Sequence, residues 1–351
     1  MQTSPLNRFV YALRRALRPL YRTRAFVRLT EAYFERALPL LRRWKPLFGS
    51  TAVLALTYRC PCTCAHCAVG TNRKDADDEL RPDEVRALID EFARLGAEEI
   101  HFFGGEPLLV PELPDYVRQA KARGLKLTLD TNGWLLDEAA ARRLKEAGLD
   151  RIRVSLDSAE AAEHDRLRGL SGLHARAVEG IRHCARAGLE CEVSACVSRI
   201  SLRDGTLDGV LALARSLGVR VRVLSAIRGG RWAEREDVAL TREDAELFRR
   251  HLRADAVHWE TELVCGPETP FLCGAVLRNH FSVTAYGDVL PCAYLPVSFG
   301  NVRREPLLDA VRRVWASDLV RRHRAHYDCP LNAPDFGPRP CGPRPVPAER
   351  P

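Results

Sequence analysis

Between residues 51 and 225, short apolar runs alternate with longer segments whose apolar residues recur at helical spacing. The runs have strand-like composition and read TAVLALT, EIHFFG, LKLTLDT, RIRVSLD, CEVSACV and VRVRVLS. The helical patterns lie near residues 82–95, 111–123, 136–147, 172–187 and 203–217. This alternation predicts an α/β fold with a parallel sheet and right-handed crossovers. Six βα units are fewer than the eight of a closed barrel, which leaves a partial (β/α)6 TIM-like barrel or an open sheet.

Four other regions complete the predicted organisation. Residues 1–50 predict short helices interrupted by proline, and hence an N-terminal helical extension. Residues 226–260 predict a linker with a helix over 241–256 that is opened by Thr241. The remaining sequence predicts a small C-terminal domain over 261–341, with a hairpin at FSVTAYGDVLPC, and a Pro-rich tail over 342–351.

The net charge of +8 is unevenly distributed. Residues 1–50 contain ten Arg and one Lys against two Glu, a net of +9, so the rest of the chain sums to about −1. A near-neutral body does not favour a nucleic-acid groove, and no nucleic-acid partner is expected. The basic extension fits three roles: a helical collar packed on the main domain, contact with an anionic membrane surface, or contact with a leader peptide.

Twelve cysteines are unusual for a chain of this composition. We find no secretory signal and no apolar stretch long enough to span a membrane. We therefore expect a cytoplasmic protein, with peripheral membrane attachment as the alternative. In that compartment clustered thiols favour metal binding or catalysis over disulfides.

Three of the cysteines, Cys60, Cys64 and Cys67, form a C-x3-C-x2-C pattern directly after the first predicted strand. Sites in parallel α/β folds form at the carboxyl ends of strands, so the location suits a functional site. Three thiolates are too few for a closed zinc site but suit an iron–sulfur cluster with one open iron. Zinc with Cys62 or His66 as fourth ligand, and a disulfide, are the alternatives.

Together with GGEP at 104–107, this pattern resembles the signature of the radical S-adenosylmethionine enzymes. The resemblance implies that Cys60, Cys64 and Cys67 ligate a [4Fe–4S] cluster whose fourth iron chelates S-adenosylmethionine. One electron, from a flavodoxin- or ferredoxin-type reductant, would then yield a 5′-deoxyadenosyl radical that abstracts hydrogen from a substrate. His66 stands where the family usually has an aromatic ring.

The resemblance also implies a set of cofactor contacts at the strand ends. Glu106 would receive the cofactor's ammonium group and Arg168 its carboxylate. Val223 and Leu224 would pack on adenine or belong to the core. Cys196 is a candidate hydrogen-atom donor, with simple packing as its alternative. The full set of cofactor-binding candidates is Gly104, Gly105, Glu106, Pro107, Thr131, Asn132, Ser155, Asp157, Arg168, Ser194, Arg199 and His66.

The C-terminal region resembles the SPASM and twitch domains, which add auxiliary clusters to such enzymes. The resemblance rests on the spacing of Cys273 and Cys292 and on the GN…L…W frame that follows. It implies one auxiliary [4Fe–4S] cluster held by Cys273, Cys292, Cys329 and Cys341, with Cys265 as a competing ligand. The dense cysteine block of a complete SPASM domain is missing here, and buried structural cysteines are the alternative.

Enzymes with this extension commonly modify ribosomally made peptides by cross-linking, epimerisation or oxidation, and we favour that function. Radical chemistry on a small-molecule or lipid-linked substrate is the alternative. A non-catalytic iron–sulfur electron-transfer protein is a third hypothesis, against which the three-cysteine pattern and GGEP both argue.

Overall fold

One sheet of nine strands organises the chain in the computed structural model, which describes residues 32–70, 78–253, 255–260, 271–324 and 326–336. The strands are β1 (Thr51–Ala55), β2 (Glu99–Phe103), β3 (Lys126–Thr131), β4 (Arg151–Ser155), β5 (Glu190–Val197), β6 (Arg220–Ser225), β7 (Val257–Trp259), β8 (His280–Val283) and β9 (Val289–Leu290). Their order is β7-β6-β5-β4-β3-β2-β1-β8-β9. Every neighbouring pair is parallel except β8 with β9. The predicted α/β partial barrel is therefore confirmed.

Helices connect the successive strands from β1 to β7, as the sequence pattern predicted, and one further helix lies before β1 and one after β9. They are α1 (Leu38–Leu41), α2 (Pro82–Leu95), α3 (Leu113–Ala122), α4 (Glu138–Ala147), α5 (Ala161–Arg168), α6 (Leu173–Arg186), α7 (Arg199–Arg203), α8 (Thr206–Ser216), α9 (Arg242–Arg249) and α10 (Leu307–Ala316). A π-helical turn precedes α1 at Tyr33–Ala37. Short 3-10 turns lie at Pro107–Leu109, Gly230–Trp232, Arg321–His323 and Pro330–Asn332. No helix within these described parts is long and apolar enough to cross a membrane.

Local sequence sets the ends of the clearest helices. In α2, Pro82 occupies the first turn and Gly96 closes the helix in the left-handed conformation at φ 89°. In α4, the Asp137 side chain accepts a hydrogen bond from the Ala140 amide at 2.7 Å, and Gly148 closes the helix. These residues mark the boundaries between helix and loop, and they end each helix close to the strand that follows.

Alternate positions along the central strands are polar and lie side by side across the sheet. Asp130, Arg153, Glu192 and Arg220 occupy one register row. Arg153 lies 3.2 Å from Glu192, which in turn lies 3.1 Å from Arg220. The intervening apolar positions are buried in the main hydrophobic core. One face of the sheet therefore packs against helices while the other carries paired charges.

The structure differs from the sequence prediction in three places. The helix expected over 203–217 is α8, which begins after Gly205 at φ 87°, and a separate short helix, α7, precedes it. The helix opened by Thr241 ends at Arg249, and the chain then adds β7 to the sheet. The hairpin expected near 281–292 is present, but its first strand, β8, pairs in parallel with β1. Of the predicted N-terminal extension, residues 1–50, the structure describes residues 32–50.

Candidate active site

The cysteine loop follows β1 and lies over the carboxyl ends of the strands. Cys60, Cys64 and Cys67 all line one cavity of about 280 Å³. Cys62 lines it as well, and its backbone amide donates to the Cys60 sulfur at 3.4 Å. The neighbouring Cys62 thiol is the main cause that lowers the pKa of the Cys64 thiol to about 6. The loop thus brings the three predicted ligands to one wall.

Each of the three predicted ligand sulfurs accepts an N–H group from the protein. The donors are the Asn132 side-chain amide to Cys60 at 3.7 Å, the Arg168 guanidinium to Cys64 at 4.0 Å, and the Gly70 backbone amide to Cys67 at 3.0 Å. N–H donors around cysteine sulfurs stabilise thiolates and tune the potential of a bound cluster. The donor set therefore fits thiolate ligands of an iron–sulfur cluster.

The glycines of GGEP allow two loops to touch. A Cβ atom on Gly104 would collide with the Thr57 carbonyl oxygen, and one on Gly105 with that of Arg59. In the actual structure the Gly105 amide donates to Thr57 at 2.7 Å, and the Glu106 amide donates to Arg59 at 2.8 Å. These bonds fix the chain just before Cys60. The structure thus gives the glycines a role in placing the cysteine loop.

Glu106 is buried behind the cavity wall, and its carboxylate accepts hydrogen bonds from three groups of the protein. Its carboxylate accepts hydrogen bonds from the Thr131 hydroxyl at 2.7 Å, the Asn132 amide at 2.8 Å and the Leu108 amide at 3.0 Å. Burial raises its pKa to about 7. Pro107, also buried, begins the 3-10 turn that follows. Glu106 therefore ties the end of β2 to the end of β3.

A buried ion pair supports the other side of the cysteine loop. Arg168 donates from Nε to Asp157 Oδ2 at 2.6 Å, and Asp157 Oδ1 accepts the Cys196 amide at 2.9 Å. Burial opposes ionisation of Asp157, but the charge of Arg168 outweighs it and holds the carboxyl pKa below its ordinary value. His66 Nε2 lies 3.6 Å from the same carboxylate, and burial lowers the pKa of this imidazole to about 4.

Most of the sequence-predicted site residues converge on this cavity. Those that line it are Cys60, Cys64, Cys67, His66, Gly104, Gly105, Thr131, Asn132, Ser155, Arg168, Ser194, Cys196 and Leu224. Glu106, Pro107 and Asp157 are buried but do not line it.

Arg199 is not brought to the cavity. Ser198 caps α7 by accepting the Ser201 amide at 3.1 Å, so Arg199 becomes the first residue of that helix. Its guanidinium is directed to Asp244, at 3.3 Å. The predicted cofactor contact at this position is therefore not supported by its placement.

A loop that the sequence analysis did not single out clamps the cysteine loop. Arg231 donates to the carbonyl oxygens of Thr63 at 2.6 Å and Cys64 at 3.2 Å. A Cβ atom on Gly230 would collide with the Cys67 carbonyl, so the two loops meet at backbone distance. The sequence signal for this contact was the run RGGRW. Its paired glycines allow a close backbone approach, and its arginines supply donors.

Charged residues beneath the cavity were also missed. Arg222 lines the cavity and donates to Asp130 at 2.7 Å and to the Ser194 hydroxyl at 3.0 Å. Asp130 in turn lies 2.9 Å from His101. The signal was the alternation of charged and apolar residues in KLTLDT and VRVRVLS, which a strand converts into one charged face.

Three C-terminal cysteines, each partly buried, form a second group. Cys273, Cys292 and Cys329 influence one another electrostatically. Burial raises the pKa of Cys273 to about 11 and that of Cys292 to about 12. The nearby backbone amides of Ala275 and Val276 partly offset this rise in pKa at Cys273, and those of Tyr294 and Leu295 do so at Cys292.

This second group also fits cluster ligands, because it brings three thiols together and backbone amides lower the pKa of two of them. Cys341 and Cys265, the predicted fourth ligand and its competitor, lie outside the described residues. Within the described ranges, no three His, Cys, Asp or Glu side chains are arranged to hold a single metal ion.

Two family models match the chain. The model of the radical SAM superfamily matches residues 54–217, which include the end of β1, the cysteine loop and β2 to β5. The model of SPASM, an iron–sulfur cluster-binding domain, matches residues 273–335, which include the second cysteine group.

Individual proteins agree with these models. A PqqA peptide cyclase from Rhizobium meliloti is 31% identical over 271 residues, covering 73% of this chain and 72% of that protein. An AdoMet-dependent heme synthase from Methanosarcina barkeri is 29% identical over 292 residues, covering 76% and 82%. Streptococcus suis SuiB, in its crystal structure bound to S-adenosylmethionine, shares the fold with a TM-score of 0.60 at 17% identity, over 85% of this chain and 70% of SuiB. The chain belongs to the radical SAM superfamily, carries a C-terminal SPASM domain, and is an enzyme that uses [4Fe–4S] clusters and S-adenosylmethionine.

Proposed function

We propose that this enzyme modifies a ribosomally made peptide through hydrogen abstraction at the cavity over the strand ends. The observation that carries the proposal is the convergence of three cysteines, each with its own N–H donor, on the wall of one cavity. Three ligands leave one iron of a cubane cluster open. When bound there, the cluster and S-adenosylmethionine supply a 5′-deoxyadenosyl radical.

The chain's own residues hold and orient these groups. Cys60, Cys64 and Cys67 are the proposed cluster ligands. Arg168, held charged by Asp157, is the proposed partner of the cofactor carboxylate, since it lines the cavity beside Cys64. Polar side chains at the strand ends are proposed to form hydrogen bonds with the rest of the cofactor; they belong to Thr131, Asn132, Ser155 and Ser194. Cys196 lines the same cavity and is retained as a candidate hydrogen-atom donor.

The second cysteine group is proposed to hold one auxiliary [4Fe–4S] cluster, through Cys273, Cys292, Cys329 and either Cys341 or Cys265. An auxiliary cluster of this kind would accept an electron after substrate oxidation or bind a substrate thiolate. A flavodoxin- or ferredoxin-type protein is the proposed source of the electron that starts the reaction. The exposed rim of the cysteine loop gives such a donor access, because Thr63 and Gly70 both line the cavity at the surface.

The peptide substrate is supported by the PqqA peptide cyclases among the relatives, two of which are 31% identical to this chain. The heme synthases support a second candidate, radical chemistry on a small molecule such as a heme precursor. The two candidates share the same cofactor site and differ in what enters the cavity.

The test combines cofactor cleavage with product analysis. Anaerobically reconstituted enzyme, S-adenosylmethionine and dithionite should yield 5′-deoxyadenosine, and a Cys64→Ala control should not. Short peptides encoded beside the enzyme's own gene should then lose two hydrogens, or gain one deuterium in heavy water if they are epimerised. Absence of 5′-deoxyadenosine from cluster-loaded enzyme would contradict the radical reaction. Unchanged peptides together with a converted heme precursor would replace the peptide by the second candidate.

A further inference from the structure

Residues 39–45 form a surface, here called the N-terminal patch, that exposes apolar and basic side chains together. Leu40 is 58% exposed, Leu41 43% and Trp44 89%. The described residues contain only two other exposed large hydrophobic side chains, Leu135 and Ile200, and each stands alone. Scattered exposed apolar residues are normal, whereas three within five positions mark an interaction site.

The patch is held firmly from beneath. Leu38 and Leu47, on either side of it, are fully buried. The Leu47 amide donates to the Leu95 carbonyl at 2.9 Å, which ties the segment to the end of α2. Arg42 turns inward, with its guanidinium 3.9 Å from the centre of the Trp315 ring. The apolar side chains are therefore displayed by an anchored segment, and their exposure is a feature of the fold.

The surroundings of the patch are basic. Arg36, Arg43 and Lys45 are exposed, and no carboxylate among the described residues pairs with any of them. The chain that leads into the patch, residues 1–31, contains seven Arg and one Glu. The sequence of that chain also places Phe9, Leu13, Leu17 and Leu20 near helical spacing.

We propose that the N-terminal patch docks this enzyme on an anionic lipid surface. Trp and Leu side chains enter the interface between head groups and acyl chains, and flanking Arg and Lys bind anionic head groups. An acidic protein would pair with the basic side chains but would not account for the exposed apolar ones. An exposed Trp beside two Leu, together with a basic amphipathic sequence, is typical of segments that bind a bilayer interface. None of residues 39–45 lines the cysteine cavity, so docking leaves the cavity open.

Vesicle flotation with the full-length, cluster-loaded enzyme tests this proposal. Vesicles of phosphatidylcholine with about one third phosphatidylglycerol should carry the enzyme upward, and vesicles of phosphatidylcholine alone should not. Raising the salt from about 0.1 to 1 M should weaken binding, because the Debye length falls from about 10 to 3 Å. The assay requires no turnover, so its outcome is independent of the proposed reaction.

Variants separate the patch from the basic segment before it. Leu40→Ser combined with Trp44→Ser should reduce the fraction bound by about tenfold or more. Ile200→Ser removes an apolar side chain of similar exposure, 47%, elsewhere on the surface and should bind like the parent enzyme. Near-ultraviolet circular dichroism of the double variant checks that it is folded. No flotation with anionic vesicles, or unchanged flotation of the folded double variant, would overturn the proposal; the first result would favour a protein partner and the second would place binding in residues 1–31.

Discussion

The two cysteine groups of this enzyme are built in different ways. Cys60, Cys64 and Cys67 lie on a loop between β1 and α2, and their N–H donors include side chains just after β3 and at the end of α5 that are distant in sequence. Cys273 and Cys292 instead lie beside backbone amides two or three residues further along the chain, which lower the pKa of each thiol. The first group borders a cavity, whereas none of Cys273, Cys292 and Cys329 lines it.

This difference indicates a division of labour. A site whose ligands are positioned by several strands can keep one face open without losing its geometry, because the barrel fixes the rest. A site built from local turns, away from that cavity, suits a group that only stores or passes electrons.

The largest expected effect comes from removing the second group. Cys292→Ala should reduce the iron content by about four atoms per chain and abolish modified product. It should leave 5′-deoxyadenosine formation in place, because the cysteine loop does not depend on this residue. Iron analysis and quantification of the two products check this outcome. Loss of 5′-deoxyadenosine with an intact spectrum of the first cluster would show that the two groups are not separable.

Breaking the ion pair beneath the loop should have the next largest effect. Arg168→Met leaves the buried Asp157 carboxylate without its partner, which costs about 3–5 kcal/mol of unfolding free energy. Denaturant unfolding of the cluster-free protein measures this loss. The double variant Asp157→Asn with Arg168→Met removes both charges and should recover part of the stability. A double variant that is less stable than Arg168→Met alone would contradict the pairing.

The clamp from the RGGRW loop should have a smaller effect. Arg231→Gln removes the charged donors to the Thr63 and Cys64 carbonyls, worth about 0.5–1.5 kcal/mol in total at this exposed position. Iron release to a chelator should accelerate about threefold from the first cluster only. Arg235→Gln is the matched control, since Arg235 pairs with Asp237 away from the loop. Equal rates of iron release from the two variants would show that Arg231 does not stabilise the cysteine loop.

The smallest effect concerns electron affinity. Asn132 donates to the Cys60 sulfur, and such bonds stabilise the more negative, reduced cluster. Asn132→Ala should lower the reduction potential of the first cluster by about 20–40 mV, the equivalent of about 0.5–1 kcal/mol for one electron. Potentiometric titration followed by electron paramagnetic resonance reads this shift. The auxiliary cluster should keep its potential, and a common shift of both would point to a general disturbance.

Much of the fold could be predicted from the sequence, because its periodicity and caps are local signals. The ends of α2 and α4 follow from Pro82, Gly96, Asp137 and Gly148. The parallel pairing of β8 with β1 could not be predicted in this way. It joins residues more than two hundred positions apart, and nothing in the short run around Phe281 specifies which edge it joins.

The candidate site shows the same limit. The three loop cysteines and the strand-end residues were predicted because motif and strand position coincide. Arg199 failed the same argument, since Ser198 caps a helix and turns the following side chain toward Asp244. The contact of Arg231 with the cysteine loop was not predicted, because the approach of two loops is a tertiary contact with no fixed sequence spacing.

The central claim is that only three of the four cysteines in the loop hold the catalytic cluster, and that the open iron serves the cofactor. Iron content and 5′-deoxyadenosine formation in Cys62→Ala and Cys64→Ala test it most directly. We predict that Cys62→Ala retains both the cluster and cofactor cleavage, whereas Cys64→Ala loses both. Equal loss of iron and 5′-deoxyadenosine in the two variants would contradict the account.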